Sequence, residues 1–227
     1  MRPSPPMSER VGPLRIVLAD DHATVRQGLR LLIDGQPDMT VVAEAGDGQS
    51  AIAAVEQFLP DVVVMDISMP GVNGLNATRM LKERRLETRV VALTRYSDDA
   101  YLQELLRAGV AGYVLKQSAS IELLQAIRAA AGGGQYLDST VTGRVTNGFL
   151  ARDGRKTRQA QPSITDREAE VLRLIARGYS NKEIAVQLDL SVKTVEVHKA
   201  NGMRKLGFRG RIDIVRFAIL QGWMQDG

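Results

Sequence analysis

The chain has 227 residues, of which 44% are hydrophobic and 25% are charged, a balance that is typical of globular domains and argues against a wholly disordered protein. It has no cysteine, which excludes disulfide bonds and thiolate metal sites and fits a reducing compartment such as the cytoplasm. The net charge of +4 is unevenly distributed, because residues 1–135 hold 14 Lys and Arg against 16 Asp and Glu, whereas residues 136–227 hold 16 against 10. A basic second part indicates a nucleic-acid-binding module.

The first residues and the overall hydropathy predict no membrane association. The start of the chain, residues 1–7, lacks the apolar stretch of a secretory signal. No apolar run approaches the roughly 18 residues that are needed to span a bilayer. We therefore expect a flexible tail at residues 1–12 and a cytoplasmic location.

Between residues 13 and 134, short apolar runs alternate with amphipathic stretches, which predicts βα units around a parallel sheet. The predicted strands are Leu14–Ala19, Thr40–Ala45, Val62–Met65, Val90–Leu93 and Tyr113–Leu115. The predicted helices are Thr24–Ile33, Gln49–Phe58, Leu75–Arg84, Asp99–Arg107 and Ser120–Ala131. Five strands in strict alternation with five helices indicate a doubly wound α/β domain.

Polar residues follow four of the predicted strands. Asp20 and Asp21 follow the first, Asp66 the third, Thr94 the fourth and Lys116 the fifth. The carboxyl ends of parallel strands share one edge of a sheet, so these side chains are expected in one pocket. Oxygen ligands without His or Cys favour a hard cation such as Mg²⁺. Asp66 on the central strand is the expected nucleophile, which would form an aspartyl phosphate.

Together with the loop Pro70-Gly71-Val72-Asn73-Gly74, this pattern resembles the receiver domains of response regulators over residues 13–132. The resemblance implies a flavodoxin-like five-stranded parallel sheet and phosphorylation of Asp66 by a histidine kinase. It implies Mg²⁺ or Mn²⁺ held by Asp20, Asp21, Asp66 and the backbone carbonyl of Ser68. It also implies that Thr94 and Lys116 contact the phosphoryl group and that Tyr113 switches together with Thr94.

Two further residues, Arg95 and His22, directly follow polar residues of the predicted pocket. Arg95 is a departure from the family, which usually has a small or thioether side chain after the switch threonine. His22 follows the two aspartates, but we expect an exposed residue at a helix start and not a metal ligand.

A linker is predicted after the receiver. Gly132-Gly133-Gly134 is expected to end the last helix, because three glycines hold helical backbone poorly. Residues 139–151 are compatible with a short helix, and residues 152–162 are polar, basic and poor in apolar side chains. We expect the receiver at 13–134 and the linker at 135–161.

From residue 162 to residue 227 the pattern predicts a small all-α domain. Thr165-Asp-Arg-Glu168 and Ser180-Asn-Lys-Glu183 have the spacing of capping boxes, and Ser191 is a third candidate helix cap. The short turn at residues 188–190 precedes a helix at about 192–206 whose exposed surface is polar and basic. This order is typical of a helix-turn-helix whose second member enters the major groove of DNA.

The segments at residues 165–175 and 188–201 resemble the LuxR-type helix-turn-helix, so the whole chain resembles a NarL/FixJ-type regulator. The resemblance implies a fourth helix near Arg211–Leu220 for dimer contacts, and an active homodimer on paired half-sites of double-stranded DNA. By position, the expected base contacts are Lys193, Glu196, Val197 and Ala200. The expected phosphate contacts are Thr194, Lys199, Asn201, Arg204 and Lys205. Gly202 replaces a buried aliphatic residue, so we expect a lost core side chain and a gain in melting temperature for Gly202→Ile.

Two other functions compete with a phosphorylation-controlled, non-enzymatic transcription regulator. A receiver that only dimerises or senses a ligand would be favoured by missing acidic or lysine residues, and none is missing. A metal-dependent phosphatase would need an acid/base carboxylate two residues after Asp66, where Ser68 stands.

Overall fold

A computed structural model describes residues 12–95, 99–142 and 164–224. The chain divides into two compact units. The described part of the first unit ends at residue 142, and that of the second unit begins at residue 164. None of the helices in these ranges combines the length and the apolar character that a bilayer-spanning segment requires.

The first unit is built on a parallel sheet with the strand order β2-β1-β3-β4-β5-β6. The strands are β1 Leu14–Ala19, β2 Met39–Ala45, β3 Val62–Asp66, β4 Arg89–Thr94, β5 Gly112–Leu115 and β6 Tyr136–Leu137. Every residue of β3 is buried, as expected for a central strand that is covered on both faces of the sheet.

Five helices connect these strands. They are α1 Ala23–Asp34, α2 Gly48–Phe58, α3 Gly74–Glu83, α4 Asp99–Ala108 and α5 Ala119–Ala131. Helices α1 and α5 bury apolar side chains such as Ile33 and Leu123 against alternate strand residues, among them Ile16 and Val64. The prediction of a parallel α/β domain is confirmed.

The sixth strand is a difference from the predicted five-stranded sheet. β6 pairs in parallel with β5, with Tyr136 opposite Gly112 and Leu137 opposite Tyr113. Gly133 has φ +80, a conformation that favours glycine and lets the chain turn back after α5. The side chains of Asp138 and Val141 are fully buried. Residues 136–142 therefore belong to the first unit, although the sequence suggested a linker from residue 135.

Residues 164–224, the described part of the second unit, form four short helices. They are α6 Asp166–Ala176, α7 Asn181–Gln187, α8 Val192–Leu206 and α9 Arg211–Leu220. The side chains of Thr165, Ser180 and Ser191 each accept a hydrogen bond from the backbone N–H three residues later, which starts α6, α7 and α8. The core contains buried apolar residues from all four helices, namely Val171, Leu172, Leu174, Ile175, Ala176, Ile184, Ala185, Val195, Ile214 and Ala218.

Candidate functional site

The ends of β1, β3 and β5 bring a lysine between two carboxylates. The Nζ atom of Lys116 lies 2.6 Å from Oδ2 of Asp20 and 2.7 Å from Oδ2 of Asp66. Both aspartates are only 1% exposed. A buried carboxylate is costly unless it is paired, so the ammonium group stabilises the two ionised side chains.

Asp21 and His22 are exposed and lie close to the two buried carboxylates. Asp20, Asp21, His22 and Asp66 each offer a ligand atom, and these four atoms all lie within 4.8 Å of one another. The Nδ1 atom of His22 is 2.7 Å from Oδ1 of Asp21 and 3.3 Å from Oδ1 of Asp20. His22 is exposed at the start of α1, as expected, but its imidazole is closer to the carboxylates than the sequence suggested. Three carboxylates against one lysine leave negative charge that fits a divalent cation.

Burial raises the pKa of Asp66 above its ordinary value, although hydrogen bonds from Lys116 and from the Ser68 backbone oppose this effect. The Ser68 N–H donates to Oδ1 of Asp66 over 3.1 Å. The fold therefore holds Asp66 as a carboxylate whose charge is only partly compensated. An added cation or a transferred electrophilic group would relieve that charge.

The loop after Asp66 depends on a glycine whose role was not predicted from the sequence. A Cβ atom on Gly74 would lie 2.1 Å from the backbone oxygen of Asp66, which is too close for any other residue type. Gly74 also donates its backbone N–H to the carbonyl of Ile67 over 3.2 Å. The close approach sets the path of the backbone that carries Ser68.

Arg26 is a second residue that sequence reasoning missed. Its Nη1 atom donates to the backbone oxygen of Asp20 over 2.6 Å, and its Nε atom lies 3.3 Å from Oε2 of Glu44. Arg26 on α1 thus fixes the backbone at Asp20, the first of the two adjacent aspartates. The sequence offers no signal for this contact, because it joins residues from two different elements.

Thr94 and Tyr113 lie on neighbouring strands; Thr94 ends β4 opposite Leu115, and Tyr113 lies two residues earlier in β5, opposite Ala92. Both residues are fully buried, and the Lys116 N–H donates to the Thr94 carbonyl over 2.7 Å. Arg95 is exposed. Tyr96, the next residue, lies outside the described part of the chain.

In the second unit, the predicted DNA-contact residues lie on α8. Lys193, Glu196, Val197, Ala200 and Arg204 are exposed, and their spacing places them along one side of the helix. The other predicted residues of this helix, Thr194, Lys199, Asn201 and Lys205, are partly buried. Helix α8 follows α7 after the short turn that the sequence predicted.

Both units match families of known proteins. Residues 16–128 match the response regulator receiver domain, and residues 162–218 match the bacterial regulatory proteins of the luxR family. The chain is 42% identical over 210 residues to the oxygen regulatory protein NreC of Staphylococcus aureus, and the match covers 91% of this chain and 97% of that protein. The chain belongs to the NarL/FixJ-type response regulators. This response regulator is a DNA-binding transcription regulator of a two-component system, as predicted.

Solved structures give the same result. One shows RcsB from Salmonella enterica serovar Typhimurium bound to promoter P1flhDC in the presence of phosphomimetic BeF₃⁻; it matches with a TM-score of 0.75 and 29% identity over 92% of this chain and all of the other. Another shows two RcsB dimers bound to two parallel DNAs; it matches with a TM-score of 0.70 and 28% identity over 91% of this chain and 98% of the other.

Within this response regulator, Lys205 does not occupy the free position expected of a phosphate contact. Its Nζ atom lies 2.7 Å from Oε2 of Glu168 at the start of α6, and the lysine side chain is 18% exposed. Glu168 also accepts the backbone N–H of Thr165 over 2.8 Å. Lys205 therefore ties the end of α8 to the start of α6.

Gly202 also differs from the expectation of a lost core side chain. The residue is buried on α8, and a Cβ atom there would lie 3.0 Å from Cδ1 of Leu172 and 3.5 Å from Cβ of Glu168. The first carbon atom of any side chain at position 202 would thus press against side chains of α6. This close contact argues against the expected stabilisation by Gly202→Ile.

Proposed function

We propose that this response regulator accepts a phosphoryl group on Asp66 from a histidine kinase and that phosphorylation changes its binding to double-stranded DNA. The contact of Lys116 with both Asp20 and Asp66 carries the proposal. It puts an ammonium group beside a nucleophilic carboxylate at the open edge of the sheet, where a phosphoryl group can approach.

The proposed metal ion is Mg²⁺ or Mn²⁺. Its proposed ligands are the carboxylates of Asp20, Asp21 and Asp66 and the backbone carbonyl of Ser68. The grouping of the three carboxylates and their excess negative charge support this choice, since hard divalent cations prefer oxygen ligands. When bound, such an ion neutralises charge on the phosphoryl oxygens.

The proposed reaction uses the residues of the pocket as follows. A carboxylate oxygen of Asp66 forms a bond to phosphorus, and the bond from phosphorus to the histidine nitrogen of the kinase breaks. The ammonium group of Lys116 and the hydroxyl group of Thr94 contact the phosphoryl oxygens. Thr94 and Tyr113 then shift together, which changes the population of two conformations of the receiver.

For DNA recognition, we propose a homodimer that binds paired half-sites. The exposed side of α8 supports base contacts by Lys193, Glu196, Val197 and Ala200 and a phosphate contact by Arg204. We also propose phosphate contacts by Thr194, Lys199 and Asn201, which are partly buried on the same helix. We propose a receiver at residues 13–142 and a DNA-binding domain from residue 164 onwards. We also propose action in the cytoplasm, because DNA and the kinase's phosphohistidine must both be reachable.

Incubation of the purified chain with acetyl phosphate and Mg²⁺ tests the acceptor directly. We expect intact-protein mass spectrometry to show one added phosphoryl group on the wild type and none on Asp66→Asn. Chelation of Mg²⁺ should stop the uptake. Uptake by the Asp66→Asn variant at the wild-type rate would contradict the proposed role of Asp66.

Selection from a pool of random duplexes tests the DNA-binding part. We expect the enriched duplexes to contain two related half-sites. The affinity of the Lys199→Ala variant for these duplexes should depend less steeply on salt concentration, by about the amount that the loss of one phosphate contact causes. Enrichment of a single unrepeated site would contradict the proposed paired recognition.

A further inference from the structure

The segment after α5, residues 136–142, contains a buried carboxylate that is not part of the pocket described above. Asp138 is fully buried. Its Oδ2 atom accepts the backbone N–H of Leu115 over 3.0 Å and also contacts the hydroxyl of Ser118. Its Oδ1 atom accepts the backbone N–H of Thr140 over 3.0 Å. One side chain therefore joins this segment to the turn that follows β5.

That turn carries Lys116. Two of the three residues that donate to Asp138, Leu115 and Ser118, lie on either side of the lysine in the chain. The Ser118 N–H also donates to the Leu115 carbonyl over 3.0 Å, which closes the turn. Asp138 thus holds both ends of the turn whose lysine reaches Asp66.

The carboxylate of Asp138 is held in its ionised form. Burial alone raises its pKa, but the hydrogen bonds from Ser118, from the Leu115 N–H and from Thr140 outweigh this effect, so the pKa lies below the ordinary value. A buried anion that loses a donor is left with an uncompensated charge. The turn therefore cannot move away from Asp138 without a large cost.

We propose that Asp138 is a positioning residue for phosphoryl acceptance, which holds the turn so that the ammonium group of Lys116 stays against Asp66. The proposal rests on the proposed role of Asp66 as acceptor and adds a residue to it. Asp138 acts through Lys116 and does not touch the reacting atoms. Replacement of Asp138 is therefore expected to lower the rate of phosphoryl acceptance only while Lys116 is present.

The first experiment measures the rate of phosphoryl uptake from saturating acetyl phosphate with Mg²⁺ in the full chain. We expect Asp138→Asn to lower the rate about tenfold, because a charge-assisted hydrogen bond to the turn is lost. In the Lys116→Ala background, Asp138→Asn should cause no further loss. Ser118→Ala removes one donor only and should lower the rate by about threefold, so it provides a milder variant if Asp138→Asn folds poorly.

Tyr136→Phe is the matched control. The Tyr136 hydroxyl belongs to the same segment, and its hydrogen bonds to Glu122 and Gln125 join that segment to α5 instead of to the turn that carries Lys116. We expect this variant to accept phosphoryl at the wild-type rate. A normal rate for Asp138→Asn, or an equal loss in the wild-type and Lys116→Ala backgrounds, would overturn the proposal.

A second experiment needs no phosphorylation. In buffer without divalent ions, Lys116→Ala should lower the urea midpoint of the first unit, because two buried carboxylates lose their ammonium partner. The loss should be smaller in the Asp138→Asn background if Asp138 places the lysine. Additive losses would overturn the positioning role. If the wild type took up no phosphoryl group, the acceptor role of Asp66 would fail, while this comparison would still decide the role of Asp138.

Discussion

At Asp66, burial and the neighbouring charge of Lys116 have opposite effects on the pKa of the carboxyl group. Its side chain is 1% exposed, and burial raises its pKa even though Lys116 lies 2.7 Å away. A carboxyl group with a raised pKa in the folded state binds its proton more tightly there than in the unfolded chain. The folded state therefore loses stability as the pH rises through that raised pKa, and at neutral pH the ionised Asp66 is a cost.

Replacement of the Asp66 carboxylate by a neutral amide tests whether its charge destabilises the fold. We expect Asp66→Asn to be at least as stable as the wild type at pH 7 in buffer without divalent ions, because the amide has no charge to desolvate while Lys116 retains Asp20. Addition of Mg²⁺ should stabilise the wild type more than the variant, since a ligand that binds only the folded state raises its stability. Urea unfolding followed by circular dichroism measures both. A clear loss of stability in Asp66→Asn without Mg²⁺ would show that the pair with Lys116 outweighs the burial.

Gly202 determines how closely α8 approaches α6. A Cβ atom at this position would lie 3.0 Å from Cδ1 of Leu172, so even a methyl group requires Leu172 to shift. We expect Gly202→Ile to destabilise the second unit by about 1–3 kcal/mol through overpacking, against a smaller gain in helix propensity.

Fluorescence gives a selective measurement of this effect. Trp223 is the one tryptophan of the chain, and it packs against Phe217 in the second unit, with ring centroids 5.5 Å apart. Thermal unfolding followed by its emission therefore reports on this unit. Ala200→Ile, at an exposed position of the same helix, is the control and should change stability by no more than about 0.5 kcal/mol. A higher melting temperature for Gly202→Ile would show that α6 and α8 separate readily.

At the scale of the elements, α8 is held at its end by an ion pair as well as by its apolar side. Burial raises the pKa of Glu168, but hydrogen bonds from Lys205 and from Thr165 outweigh this effect and hold the pKa below the ordinary value of 4.5. A depressed pKa in the folded state means that the ionised glutamate stabilises the unit. That contribution is present above pH 4.5 and is lost as the pH falls through the lowered pKa.

The change in melting temperature at acidic pH tests the ion pair between Glu168 and Lys205. We expect the melting temperature of the second unit to fall below about pH 4.5 in the wild type, and Glu168→Gln to be less stable at pH 7 with a shallower loss in acid. Glu170→Gln is a suitable control, because Glu170 is about half exposed and its ion pair with Arg167 lies at the surface. Identical curves for wild type and Glu168→Gln would exclude a role of the buried pair in stability.

The elements differ in how well the sequence predicts them. Strands β1 to β5 and helices α1 to α5 were predicted within one or two residues at each end, because short apolar runs mark the strands and helical spacing marks the helices. β6 was missed, since two residues show no periodicity and the strand exists only through its pairing with Gly112 and Tyr113. The three helix caps of the second unit were predicted because Thr165, Ser180 and Ser191 act within one turn of the chain.

At the scale of the whole molecule, the predicted pocket follows from topology. Residues at the ends of parallel strands must lie at one edge, so Asp20, Asp66 and Lys116 were placed together without knowledge of coordinates. Contacts that depend on packing between distant segments were not predictable in this way. Asp138 and the pair of Lys205 with Glu168 are examples, because no local pattern shows which side chains meet.

The two units have separate chemistry in one chain. The first has an acidic pocket with a buried carboxylate, Asp66, and the second has a basic helix surface. In the function that we propose, phosphorylation of Asp66 alters the affinity for DNA. Such coupling is a free-energy difference between two conformations and is measurable as a ratio of dissociation constants.

The most direct test measures the affinity of the full chain for a duplex obtained by selection, at fixed salt, before and after treatment with acetyl phosphate and Mg²⁺. We predict that treatment of the wild type changes the dissociation constant about tenfold, which lies within the usual range of coupling between two sites. Asp66→Asn should show one constant value under both conditions. An unchanged affinity in a wild type that is fully phosphorylated on Asp66, or an equal change in Asp66→Asn, would contradict control of DNA binding through this aspartate.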